Sequence, residues 1–105
     1  VPIHRHQSVR SRLFRMFMKV EAARALARRV AVFNAAGAPK VQYSIASKVF
    51  CTGTAFEVAN EALQIFGGNG LSREYPLEKL LRDARASLIE DGCNEVLSIV
   101  GGARL

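Results

Sequence analysis

The sequence predicts an all-α protein: an antiparallel helical bundle of the four-helix type, with residues 1–105 forming one domain. Three observations lead there. Apolar residues recur three and four positions apart over long stretches, the spacing of one helix face. The breaks between these stretches are short and carry Gly, Pro or Asp-Gly. No segment alternates apolar and polar residues with the period of two that a half-buried strand shows. Half of the 105 residues are hydrophobic, which fits one modest core rather than a disordered chain.

Val1-Pro2 reads as an extended lead-in, and the first helix is expected from Gln7 or Ser8 to about Ala36. Its stripe is Val9, Leu13, Met16, Val20, Ala23, Ala27 and Val30, with Arg12, Arg15, Lys19 and Arg28 off that face. Gly37 and then Pro39 stop it. The second helix is expected from about Lys40 to Phe66, with Val41, Ile45, Val49, Phe56, Ala59, Leu63 and Phe66 as its stripe. Thr52, Gly53 and Thr54 soften its middle, where small residues would let another helix approach closely. The run Gly67-Gly68-Asn69-Gly70 breaks it. Pro76, a good first-turn residue, opens a third helix that continues through Leu77, Leu80, Leu81 and Ala84 to about Leu88. Asp91-Gly92 marks a tight turn. A fourth helix starts near Cys93 or Asn94, carries Val96, Leu97, Ile99 and Val100, and ends at Gly101-Gly102.

Composition narrows the function classes. The net charge is +6, and Arg5, Arg10, Arg12, Arg15, Lys19, Arg24, Arg28 and Arg29 stand early against Glu21 alone. Such a stripe suits a solvated face or a face that meets another part of a larger protein. A nucleic-acid binder resting on charge alone would show steep salt dependence. The aromatics do not interleave with the basic residues as they do in single-strand binders, so no nucleic acid is expected as a partner. Cys51 and Cys93 form no C-x-x-C and read as unpaired thiols, and His4 and His6 lack a third ligand, so no metal is expected. No apolar run approaches the ~18 residues of a membrane span. The chain opens on Val1 without Met and reads as a piece of something longer.

Two places offer chemistry. Gln64, Gly67, Gly68 and Gly70 sit where one helix ends, and backbone N–H groups exposed there suit phosphate oxygens. Asp91, on a tight turn just before a helix, is either a turn and N-cap residue or an acid held rigidly in a cleft.

The residues carry a resemblance. Gln64–Asp83 (QIFGGNGLSREYPLEKLLRD) and Ile89–Glu95 (IEDGCNE) together resemble the C-terminal signature of the acyl-CoA dehydrogenase family. Pro2-Ile3 and His6-Gln7 resemble the start of that family's C-terminal bundle. Glu21-Ala22-Ala23-Arg24 resembles the "EAA" of its first long helix, and Ser47-Lys48-Val49-Phe50 the "AKxF" of its second. The likeness implies a flavoenzyme of fatty acid metabolism with an N-terminal helical domain, a central β-domain and this bundle, assembled as a homotetramer or homodimer. It implies FAD as cofactor, an acyl-CoA as substrate, and an electron-transfer flavoprotein or oxygen as acceptor. By the same likeness Gln64, Ile65, Phe66, Gly67 and Gly68 meet the adenosine-pyrophosphate part of FAD across a subunit interface. Cys93, Asn94 and Glu95 also touch FAD, and Gly92 lies against the substrate.

The family's general base, often a Glu in Tyr-Glu-Gly-Thr, falls on Asp91 of Glu90-Asp91-Gly92-Cys93, with Glu90 as the second candidate. The base takes a proton α to the thioester carbonyl while the β-hydride leaves to the flavin. The chain departs from the pattern at four positions. Asp91 is one methylene shorter than Glu, Glu90 replaces Tyr, Cys93 replaces Thr, and Leu71 replaces an aromatic residue. Some branches of the family, nitroalkane oxidases among them, use Asp as base. The departures also suit a non-catalytic helical module for oligomerisation or partner binding. Ala103-Arg104-Leu105 resembles a Ser-Lys-Leu peroxisomal address. The expected home is a mitochondrial or peroxisomal matrix in a eukaryote, and otherwise the cytoplasm.

Overall fold

A computed structural model describes the backbone of residues 3–66, 77–90 and 92–105, and side chains within 7–65, 78–90 and 92–105. Those residues form four helices: α1 Ile3–Ala36, α2 Val41–Phe66, α3 Leu77–Ser87 and α4 Asn94–Gly102. Among the described residues there is no strand. The expected break at Gly67–Gly70, the Pro76 start of α3, the Val1-Pro2 lead-in and Asp91 lie outside the described residues.

Helix α2 is the hub. It packs against α1, α3 and α4, and among the described residues those three bring no Cα atoms within 8 Å of one another. At the α1–α2 corner, the Phe33 and Tyr43 rings lie 4.8 Å apart and Asn34 Nδ2 donates to Ser44 Oγ at 3.3 Å. Gly37 and Pro39 end α1 as their chemistry predicts. Helix α2 begins at Val41, where Lys40 lends its carbonyl to the amides of Tyr43 and Ser44.

Helix α1 starts at Ile3, a full turn before the expected Gln7, because nothing between Ile3 and Gln7 breaks a helix. Its inner stripe deepens toward its C-terminal half. Val30 is buried, whereas Val9 and Leu13 are exposed. A second apolar patch, Phe14, Phe17 and Met18, lies on exposed surface, with the two Phe rings 6.0 Å apart. Two residues of the basic stripe pair with α2, Arg12 with Glu61 at 3.4 Å and Lys19 with Glu57 at 3.0 Å. These pairs are exposed and add little stability.

One expectation about glycine changes. Gly53 is not a point of close helix approach, since a Cβ there would meet nothing within 4 Å. The close approach is at Gly101, where a Cβ would stand 3.2 Å from Ile45 Cγ2 of α2. Gly101 and Gly102 end α4 as expected, forming the close of its last turn with Ala103 as C-cap. Of the expected α4 stripe only Leu97 is partly covered, and Val96, Ile99 and Val100 are exposed.

Candidate active site

The turn between α3 and α4 is closed from both sides. Beyond Ser87 the chain continues in tightening turns, with Ile89 N–H donating to Ala86 O at 3.0 Å and Glu90 N–H to the same carbonyl at 3.1 Å. The amide of Asn94 returns to Leu88 O at 3.0 Å, so residues 88–94 form a cinched loop. Gly92 has φ +112°, and a Cβ on it would press on the Leu97 side chain at 3.2 Å. The positive φ favours glycine there, and a side chain would also force Leu97 to give way.

Asn94 ties this loop to α2. Its Nδ2 donates to Thr52 Oγ1 at 2.9 Å, and its Oδ1 accepts from Lys48 Nζ. Lys48 Nζ also donates to Gly92 O at 2.9 Å. Thr52 Oγ1 donates to Lys48 O at 2.7 Å, closing the ring of contacts. The amide orientation is set by its partners, because only oxygen accepts from an ammonium.

Cys93 is the N-cap of α4, with φ −65° and ψ 134°, and its thiol makes no capping bond. Asp91 is thus not the cap, because it precedes the capping position by two residues. Cys93 and Glu90 are exposed, as is Ile89 beside them. Both cysteines are free, and Cys51 Sγ donates to Ala23 O of α1 at 3.4 Å.

The other expected segment lies elsewhere. Gln64 is exposed and Ile65 partly covered in the last turn of α2, while Phe66 closes that helix with its side chain outside the description. Gly67 and Gly68 fall outside the described residues. From Lys48 to Gln64 the helix rises about 24 Å at 1.5 Å per residue. The structure therefore brings Glu90, Gly92 and Cys93, just before α4, together with Asn94 and Glu95 of its first turn, and holds Gln64 and Ile65 near the far end of α2.

Lys48 and Thr52 were not expected as site residues. The sequence held little signal for them: the i, i+4 pair Lys48 and Thr52 stands among other polar residues of α2, such as Ser44, Ser47 and Glu57. Their partner stands 42 to 46 residues away, which no local pattern reveals.

Comparison with known proteins now decides the family. The family model described as "Acyl-CoA dehydrogenase, C-terminal domain" matches residues 1–105. The chain belongs to the acyl-CoA dehydrogenase family. It is 40% identical over 105 residues to the short-chain-specific acyl-CoA dehydrogenase of Megasphaera elsdenii, covering 99% of this chain and 27% of that protein. It is 31% identical over 99 residues to cyclohexane-1-carbonyl-CoA dehydrogenase of Geobacter metallireducens, covering 94% and 26%.

Among solved structures, butyryl-CoA dehydrogenase from Megasphaera elsdenii superposes with TM-score 0.88 at 39% identity, covering 92% of this chain and 25% of that one. A chain solved in work on the electron transferring flavoprotein of Acidaminococcus fermentans and flavin-based electron bifurcation gives TM-score 0.86 at 35% identity, covering 91% and 25%. The chain thus spans about a quarter of the length of these relatives. No helix among the described residues is long and apolar enough to cross a membrane.

Proposed function

We propose that this bundle is the C-terminal part of an FAD-dependent acyl-CoA dehydrogenase that carries out α,β-dehydrogenation of an acyl-CoA thioester. The family match over the whole chain carries this reading, and the cinched loop 88–94 supports it. The residues present fit FAD. The first turn of α4 has no side-chain cap, so its backbone amides suit oxygen acceptors, and the exposed loop beside it is open to a bound group. Gln64 to Gly68 would hold the adenosine-pyrophosphate part of a neighbouring subunit's FAD, and Cys93, Asn94 and Glu95 would flank the cofactor of their own subunit. The rise of roughly 24 Å along α2 from Lys48, which grips Asn94, to Gln64 suits such a division. The side chain of Asn94 is committed to α2, so its contact to FAD would use its backbone or the second Nδ2 proton.

FAD, when bound, supplies the acceptor for the β-hydride. The protein's own residues do the rest. Asp91 takes the α-proton, becoming a carboxylic acid as the α-carbon's electrons move into the new double bond. Gly92 lets the chain turn tightly against the substrate, and Glu90 is the second candidate for the acid. Electrons would pass to an electron-transfer flavoprotein or to oxygen, and the parent would be a homotetramer or homodimer in a matrix or cytoplasmic compartment.

The test is an anaerobic titration of the full-length parent with a panel of acyl-CoAs while flavin absorbance is followed. One of them should bleach the flavin, and an Asp91→Asn parent should bleach about 10²–10⁴-fold more slowly. A flavin that no thioester bleaches sinks the reading. A second reading rests on Asp91 standing where Glu is usual: an oxidase of another acidic-carbon substrate, shown by bleaching with a nitroalkane alone.

A further inference from the structure

The proton-transfer step assigned above needs its carboxyl held still, and the residue that carries it stands in sequence between Glu90 and Gly92, outside the helices. Loops do not hold reacting groups by themselves. A misplacement of ~1 Å costs about a hundredfold in rate. The loop is cinched internally by Asn94 N–H to Leu88 O. That bond fixes its shape but not its place relative to the rest of the bundle. Its place is set from α2. Lys48 Nζ reaches the Gly92 carbonyl at 2.9 Å and the Asn94 side-chain oxygen, and Asn94 Nδ2 reaches Thr52 Oγ1 at 2.9 Å.

We propose that Lys48 is a positioning residue for α-proton abstraction: with Asn94 and Thr52 it pins the Gly92 end of the Glu90–Cys93 turn to α2. The proposal rests on Asp91 as the base. Several features of the network suit this role better than general adhesion between helices. The anchored carbonyl belongs to Gly92, the very next residue after Asp91, and the other anchor, Asn94, is the first residue of α4. The turn is therefore gripped immediately on its C-terminal side. Gly92 has φ +112°, a conformation that other residues rarely adopt, and Lys48 Nζ donates to the carbonyl of that residue.

An ammonium offers three donors on a long stem, so one side chain spans two acceptors. Bonds with a charged donor are stronger than neutral ones, and Lys48 and Asn94 are partly covered, which limits competition from water. The ring is directional throughout: Lys48 gives to Asn94, Asn94 gives to Thr52, and Thr52 gives back to the Lys48 carbonyl.

The experiment uses the full-length flavoenzyme and the acyl-CoA that bleaches its flavin fastest. Lys48→Met, Asp91→Asn, the double variant and Thr52→Val are compared. Flavin content, melting temperature, half-saturating acyl-CoA, bleaching rate at saturation and exchange of the substrate's α-proton with D₂O are measured for each. Lys48→Met is expected to slow saturated bleaching and α-proton exchange by at least about tenfold, while flavin content and half-saturation stay within about twofold. Thr52→Val, which keeps the side chain's shape, is expected to slow both less. In the Asp91→Asn background, Lys48→Met should cost nothing further, because a positioning residue has no effect once the group it positions is gone.

A Lys48→Met enzyme that bleaches at the parent's rate while Asp91→Asn collapses overturns the role of Lys48 alone. So do losses that multiply in the double variant, or losses matched by flavin release and a fallen melting temperature. If Lys48→Met does not fold, Thr52→Val carries the test, and an unchanged rate in that variant overturns the proposal. A full rate in Asp91→Asn removes the base assignment itself, and the Lys48 proposal with it.

Discussion

Cys93 occupies the one helix-capping position that the structure describes in the candidate site, and it does so badly. Its backbone has the extended conformation of an N-cap, yet the thiol bonds to nothing in the first turn of α4. A thiol is a weak acceptor, whereas a Thr or Ser hydroxyl at this position takes an amide of the first turn. Cys93→Thr in the full-length protein is therefore expected to add about 0.5–1 kcal/mol of stability, read as a higher denaturant midpoint. If the uncapped amides instead serve bound FAD, the same change should weaken flavin retention, so flavin release is followed alongside. At this scale the sequence is least transparent. Cys93 and Asp91 were legible as positions before a helix. That the cap falls on Cys93, directly after a Gly92 with φ +112°, is visible only in the fold. Sequence shows a glycine there without showing which way it turns.

At the level of elements, helix boundaries were readable because strong local chemistry sets them. Gly37 and Pro39 end α1 and Asp91-Gly92 precedes α4, so the expected limits fall within a residue or two of those seen. The start of α1 is the exception, since no such chemistry sits between Ile3 and Gln7. Which glycine lets helices meet was not readable, because that is a property of two elements at once. Two substitutions separate the cases. At Gly53 there is open space and helical backbone, so Gly53→Ala should raise stability by about 0.4–1 kcal/mol. At Gly101 the new methyl would meet Ile45 Cγ2 at 3.2 Å. That atom sits on a stiff β-branched side chain in a buried position, so α4 itself must retreat. Gly101→Ala is expected to lower the denaturant midpoint despite the better helix propensity of Ala. Equal gains from both changes would show that α4 is free to shift on α2.

At the scale of the whole molecule, the bundle leaves much of its apolar surface open. Folded monomers of 11.5 kDa expose about 5,800 Å² by the usual size scaling, whereas this chain exposes 7634 Å². Its radius of gyration is 16.5 Å against about 12.9 Å for a compact chain of this length. The excess has a visible source. Among the described residues α1, α3 and α4 each pack closely against α2 and not against one another, so a groove of about 510 Å³ opens over α2 between α1 and α3, lined by Val20, Ala27, Val58 and Leu80. Phe14, Phe17 and Ile99 are more than half exposed on other faces. A helix with apolar residues on more than one side is built to be covered on more than one side. The periodic stripe of α1 concealed this, because a pattern that explains one face draws attention away from a second. The 105 residues alone should therefore be poorly stable and should hold no stoichiometric flavin, while the full-length parent holds it and melts at higher temperature. Absorbance near the flavin bands of the purified piece, with its melting curve, checks both points. A yellow, cooperatively melting 105-residue protein would mean that the loop 88–94 and the end of α2 suffice for the cofactor, and that the division of the site between subunits is wrong.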